Sequence, residues 1–292
     1  MRIRVLFIVG AGRSGSTLLG RILGEVPGFV NIGEAASFLF RKVHHQFPCS
    51  CGKPVRDCEF WKPIFLPLMP QVEKWTQGWR IDLGRHRMYP RIMFRKKGLF
   101  IREFNEFSFL LYQSIRDQTR ADVIVDTSKT PNFPLMLLSA VNPKLDVYVL
   151  HLVRDPRGFV SSRIRPKSYL VALKPDRAIM VWNVCNLTAL LLKRFAGKYM
   201  RLRYEDFTSS PMEITMNIVR WVSGEQKPLP FQGNKVTIGT QHVLAGNPDK
   251  FKSGQIAVHE STWKLPRCIR LATEILTFPL ALILGYKFWG KK

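Results

Sequence analysis

Two short stretches of this chain combine glycine, hydroxyl and arginine side chains in patterns that bind anions. The first is GAGRSGST, Gly10 to Thr17. It follows an apolar run and opens a helical pattern. Backbone N–H groups at a helix start bind phosphate oxygens, and glycines let the backbone approach closely. Gly10 and Gly15 have the G-x4-G spacing of a nucleoside-triphosphate loop, but Ser16 and Thr17 stand where that pattern has Lys and then Ser or Thr. Arg13, inside the loop, is the nearby cation, and its planar fork suits phosphate or sulfate. The second stretch is LVRDPRGFVSSR, Leu152 to Arg163. Arg154 falls at the end of an apolar run, and Ser162 lies about two helical turns further on, so both can reach one phosphate. Each stretch alone has a plainer alternative: a glycine-rich turn with no ligand, or an Arg154 paired with Asp155 or Asp206.

The elements that must hold these residues follow from the apolar runs. Val5–Gly10, Phe29–Ile32, Val123–Asp126, Val147–Val153 and Tyr199–Arg203 are β-rich without polar alternation, which predicts parallel strands covered on both faces. Helical patterns lie between them, at Thr17–Val26, Leu99–Arg120, Pro131–Val141, Pro156–Arg163, Asp176–Phe195 and Pro211–Ser223. This alternation predicts an α/β fold, a doubly wound and mainly parallel sheet, as a single domain over residues 1–292. Residues 41–98 break the pattern. They are rich in Pro, Trp and basic side chains and read as an insertion that caps the active-site edge, with Arg80, Arg85, Arg87, Arg91, Arg95, Lys96 and Lys97 clustered toward its end. Residues 269–289 form the most apolar stretch. Its uncharged core, Ile275 to Tyr286, contains Pro279 and falls short of the roughly 20 residues a spanning helix needs. It reads as a packed or interfacial C-terminal helix, and Tyr286, Lys287, Trp289, Lys291 and Lys292 resemble an aromatic-basic membrane anchor.

Taken together, the two anion motifs resemble those of the sulfotransferases that use 3′-phosphoadenosine 5′-phosphosulfate (PAPS), closest in pattern to the carbohydrate, tyrosyl-protein and bacterial branches. RSGSTLL looks like that family's 5′-phosphosulfate loop, which implies donor contacts from Arg13, Ser14, Gly15, Ser16, Thr17 and Leu18. Arg154 and Ser162 match the pair that holds the 3′-phosphate, and LRYEDF, Leu202 to Phe207, implies a place for Tyr204 near the adenine. The likeness runs from about Val5 to Phe207, more weakly to about Gly254. It implies a P-loop NTPase-like core and PAPS as co-substrate, with no metal in the chemistry. Sulfuryl transfer needs a base for the acceptor hydroxyl and cations around spread-out oxygen charge. Glu34, ending the second strand in NIGE, is the candidate base, near the loop if strand two neighbours strand one; its alternative is a structural pairing with Arg13 or Arg21. Lys129, in DTSKTP, is the candidate for stabilising the leaving group, since a Lys at the matching point of the tyrosyl-protein branch contacts the sulfate. His151, inside a strand, reads as a core histidine.

Other features stay open at this level. CSCGKPVRDC holds Cys49, Cys51 and Cys58, which are free thiols shaping a turn, a local disulfide, or a metal site completed by His44 or His45. HVLAGNPDKFKSG, His242 to Gly254, is either a plain surface loop or one that closes over the donor through Lys250 or Lys252. The formal net charge of +24 suits an anionic substrate, an acidic lipid surface or nucleic acid. The expected acceptor is a hydroxyl on a glycan, glycolipid or lipid, with no specific nucleic-acid partner. The expected location is cytoplasmic, peripheral at the inner membrane face, because Val5–Val9 suits a buried strand rather than a signal peptide. Two rivals are a kinase or NTPase with a modified phosphate loop, and a basic membrane- or nucleic-acid-binding protein without catalysis.

Overall fold

The computed structural model describes residues 2–35, 48–70, 99–129, 131–140, 142–167, 171–258 and 262–288. The central sheet has five parallel strands: β1 (Ile3–Val9), β2 (Phe29–Gly33), β3 (Val123–Lys129), β4 (Leu145–Val153) and β5 (Tyr199–Arg203). Their order is β2-β3-β1-β4-β5. All five coincide with apolar runs of the sequence. The absence of polar alternation has the expected cause: both faces are covered. Val5, Phe7 and Val9 pack on one side against Phe104, Leu111 and Tyr112 of α3 (Leu99–Thr119) and Phe133 of α4 (Asn132–Ala140). Leu6 and Ile8 pack on the other against Leu19, Ile22 and Leu23 of α1 (Ser16–Leu23) and Ile218, Val219 and Val222 of α8 (Pro211–Ser223). Each such side chain contributes about 1.5–3 kcal/mol when fully buried.

The strand order corrects one expectation. β2 is not next to β1; β3 lies between them. The chain leaves β1 toward β2 on one side and later builds β4 and β5 on the other. The crevice between the carboxyl ends of β1 and β4 is therefore a topological switch point, where open α/β sheets bind ligands.

Helix α5 (Pro156–Ile164) starts directly after β4, and α7 (Tyr204–Ser209) directly after β5. A second, three-stranded antiparallel sheet of β6 (Phe231–Gln232), β7 (Lys235–Ile238) and β8 (Gly254–Ala257) was not legible in the sequence, because strands this short give almost no period. It matters because the segment between β7 and β8 crosses back to the main sheet: Leu244 forms a parallel bridge with Gly33 at the end of β2.

The C-terminal helix α9 (Arg267–Ile283) contains Pro279 and buries Thr273, Glu274, Thr277 and Ala281 beside α5 and α6 (Pro175–Leu191). No helix among the described residues is long and apolar enough to cross a membrane. Tyr286 is not a surface anchor: it is buried, and its hydroxyl donates to Glu205 Oε2 at 2.7 Å. Trp289, Lys291 and Lys292 lie outside the described residues, as do the basic residues from Arg80 to Lys97. The described part of the insertion, residues 48–70, includes the short helix α2 (Lys62–Phe65) and packs Val55, Trp61, Ile64 and Phe65 into the main core.

Candidate active site

The loop between β1 and α1 is shaped by two contacts that only glycine permits. Gly10 has φ +136°, and a Cβ there would stand 2.4 Å from the Leu152 carbonyl oxygen of β4. Gly15 has φ +92°, and its Cβ would stand 2.5 Å from the ring of Tyr204. The loop is thus pressed against β4 on one side and the aromatic ring on the other. Ser14 Oγ donates to the Ala11 carbonyl at 2.8 Å and closes the turn. No side chain caps α1 at Gly15, so the amides of Ser16, Thr17 and Leu18 begin the helix facing the loop.

On the β4 side, Arg13 Nε donates to Ser162 Oγ at 3.3 Å, and Arg154 Nη1 donates to the Arg13 carbonyl at 2.9 Å. The Arg154 guanidinium lies over the Tyr204 ring at 4.9 Å. The residues nominated from two separate motifs therefore touch. The suggested partners of Arg154 are engaged elsewhere: Asp155 caps α5 and pairs with Arg157, and Asp206 pairs with Arg203. Sequence reasoning missed Arg163. Burial first, and then the like charge of Arg13, hold it below the ordinary guanidinium range. Arginines close enough to repel one another are the arrangement that an anion stabilises. The signal was present, since Arg163 directly follows Ser162.

On the β3 side, Glu34 and Lys129 form an ion pair with both side chains mostly buried. Glu34 reaches this point although β3 separates β2 from β1, because Lys129 ends the intervening strand. Of its suggested structural partners, Arg13 bonds Ser162 and Arg21 donates to the carbonyls of Asp249 and Lys252. Lys129 has φ +62°, and its side chain runs past Gly12. The turn that aims it is held by Asp126, whose Oδ1 accepts from the Ser128 amide at 2.8 Å and whose Oδ2 accepts from the Tyr112 hydroxyl at 3.1 Å. Burial, chiefly, raises Asp126 to about 7. Asp126 is thus enclosed in the core, positioning Lys129 from below.

The segment after β7 closes this side. The Glu34 amide donates to the Leu244 carbonyl at 2.9 Å, and the Leu244 amide to the Ile32 carbonyl at 3.0 Å. A methyl group placed on Gly246 would stand 3.5 Å from Glu34 Oε1 and 3.9 Å from Thr17 Oγ1, so carboxylate and hydroxyl face one point. Of the two alternatives for the loop from His242 to Gly254, closure through Lys250 is not what the structure has. Lys250 is buried, and its Nζ donates to the Pro48 carbonyl at 2.7 Å. His151 is a core histidine: Nδ1 bonds the Tyr199 hydroxyl at 2.7 Å, Nε2 bonds Asn186 Oδ1 at 3.0 Å, and burial lowers it to about 4.

Known proteins with similar sequences and folds agree with this architecture. Human carbohydrate sulfotransferase 1 is 27% identical over 163 residues, covering 46% of this chain and 39% of the human protein. The Danio rerio protein of the same name is 27% identical over 197 residues, covering 58% of this chain and 45% of its own length. The match spans less than half the length of these curated relatives. The sulfotransferase domain of the Synechococcus PCC 7002 olefin synthase has a TM-score of 0.56 at 18% identity, covering 99% of this chain and 96% of that one. The sulfotransferase domain from the curacin biosynthetic pathway has a TM-score of 0.55 at 18% identity, covering 96% and 99%. These two share its parallel-sheet, P-loop-like fold. The profile of the sulfotransferase family matches residues 6–226, about three quarters of the sequence, and the chain belongs to that family.

Proposed function

We propose that this protein transfers a sulfuryl group from PAPS to a hydroxyl of a glycan or glycolipid. The observation that carries the reading is the two-sided site around one loop. Arg13, Arg154, Ser162 and Arg163 lie on the β4 side, and Glu34, Lys129 and Thr17 on the β3 side. Two anion-binding halves suit a donor with a 3′-phosphate and a separate 5′-phosphosulfate. In this reading the β4 side holds the 3′-phosphate, Tyr204 borders the base, and the amides of Ser14 to Leu18 hold the 5′ end. The donor, when bound, supplies an electrophilic sulfur and a phosphate leaving group.

The chain's own groups do the rest. Glu34 accepts the proton of the acceptor hydroxyl as its oxygen bonds to sulfur, and the bond from sulfur to the phosphate oxygen breaks. Lys129 and the α1 amides stabilise the charge that develops on that oxygen. The resting ion pair keeps base and cation within reach of the same point. The scheme draws its positive charge from Arg and Lys side chains and calls on no metal. The glycan preference rests on the carbohydrate sulfotransferase relatives.

The same reading gives the protein a peripheral contact with an anionic membrane. Leu271, Ile275, Leu276, Leu282 and Ile283 of α9 are each at least half exposed, and Arg267 and Lys287 flank them. An apolar face with basic flanks on a +24 chain suits an acidic lipid surface.

The test is transfer of radiolabelled sulfate from PAPS to a panel of glycans and glycolipids, alongside thermal shifts with PAP (the desulfated donor) and with ATP plus Mg²⁺. The expected result is labelled glycan and stabilisation by PAP, about 2.7 kcal/mol at 100 times its Kd. Strong stabilisation by Mg²⁺–ATP with none by PAP would overturn the proposal in favour of an NTPase or kinase.

A further inference from the structure

Three cysteines of the insertion meet one distant histidine. Cys49, Cys51, Cys58 and His242 each offer a ligand atom, and these atoms all lie within 4.8 Å of one another. Cys51 Sγ and Cys58 Sγ are 3.7 Å apart. His242 Nδ1 is 3.6 Å from Cys49 Sγ and 3.3 Å from Cys58 Sγ. A tetrahedral zinc with Zn–S of about 2.3 Å and Zn–N of about 2.0–2.1 Å requires edges of about 3.8 Å between sulfurs and about 3.5 Å from sulfur to nitrogen. These three spacings lie close to those values, and the remaining ones stay within 4.8 Å. They are far from the roughly 2.0 Å of a disulfide. We propose that these four residues form a structural zinc site.

The surroundings are those of a thiolate site. The amide of Cys51 faces the Cys49 sulfur, that of Lys53 faces Cys51, and those of Phe60 and Trp61 face Cys58. Such N–H groups stabilise sulfur that carries charge and fix its direction. Three thiolates, a neutral imidazole and Zn²⁺ sum to a net charge of −1. Lys250 is only 6% exposed, and its ammonium lies within electrostatic range of Cys49, Cys51 and the Glu34 carboxylate. A buried cation beside a net anion is the compensated arrangement. The His242 ring is held from behind by Phe60, stacked at 5.0 Å with 4° between the planes, and the Trp61 indole donates to the His242 carbonyl at 2.8 Å. Four protein ligands close the coordination sphere, which marks a structural site rather than a catalytic one.

The pattern was hidden in the sequence for two reasons. C-x-C followed by x6-C lacks a common zinc spacing, and the fourth ligand comes 184 residues after Cys58, not from the neighbouring His44 or His45. Those two histidines lie outside the described residues. The consequence is mechanical. The metal would join the turn at 49–58 to residues 242–244, and Leu244 in turn pairs with Ile32 and Glu34. A zinc clamp in the insertion would thus hold the strand end that carries Glu34.

The site is testable without any activity assay, and independently of the reaction proposed above. Protein of this sequence purified without chelators should carry about one zinc per chain. After stripping under reducing conditions, Co²⁺ should give the intense visible bands of a tetrahedral site with thiolate-to-cobalt charge transfer. Cys58→Ser and His242→Ala should each weaken zinc by more than the roughly 10- to 100-fold that loss of an outer-shell partner costs. Cys185→Ser, outside the cluster, should leave it intact. Should the variants not fold, the cobalt spectrum of the unaltered protein decides. Reduced protein without zinc, giving only an octahedral cobalt spectrum, would overturn the proposal. So would a Cys51–Cys58 disulfide in protein that binds no metal.

Discussion

The two halves of the site are built differently. The β4 half comes from regular elements that start or end at the sheet: Arg154 at the end of β4, Ser162 and Arg163 in the helix that follows, Tyr204 at the start of the helix after β5. Each partner sits where its local sequence puts it. The β3 half is assembled from four distant segments: the end of β2, the end of β3, residues 241–252 and the cysteine loop. Its geometry depends on a buried carboxylate, Asp126, and on strand-like pairing between Leu244 and Glu34. In the proposed reading, the first half would recognise a constant donor and the second a variable acceptor. Where one fold serves many substrates, variation belongs in the half made of loops.

The comparison makes separable predictions. Glu34→Gln keeps shape and removes basicity, so turnover should fall by about 10²- to 10⁴-fold while PAP affinity stays near normal in calorimetry. Near-normal turnover would take the base role away from the β3 half. Arg154→Ala should do the reverse. It should weaken PAP by about 1.5–3 kcal/mol, the worth of charged hydrogen bonds, with little loss for an analogue lacking the 3′-phosphate. Equal losses for both ligands would show that Arg154 does not read that phosphate. Gly15→Ala drives a methyl into the Tyr204 ring at a left-handed φ, so the donor half should loosen, with about 1–3 kcal/mol lost in denaturant unfolding. An unchanged midpoint with full PAP affinity would mean that the loop does not depend on this contact.

A further test is a pH slope. Burial raises Asp126 from its ordinary 3.8 to about 7. The folded state therefore binds more protons than the unfolded chain in that window. The stability contributed by the protonated form is complete below about pH 3.8 and is lost as pH rises through about 7. Relative to Asp126→Asn, the melting temperature of the unaltered protein should drift down across this window. Parallel profiles for the two proteins would remove Asp126 from the set of buried, titrating groups that position Lys129.

The sequence alone determined the five strands, the helices between them and the two anion motifs. These are short-range facts: an apolar run long enough for a strand, glycines where a loop must bend, an arginine at a strand's end. Glu34 and Lys129 could be nominated, yet only the tertiary structure paired them, because it placed β3 between β1 and β2. It alone brought Arg163 beside Arg13, enclosed Tyr286 and Lys250, and carried His242 to the three cysteines. The physical reason is the same in each case. Burial, and pairing between segments far apart in the sequence, depend on how elements stack rather than on which residues neighbour one another along the chain.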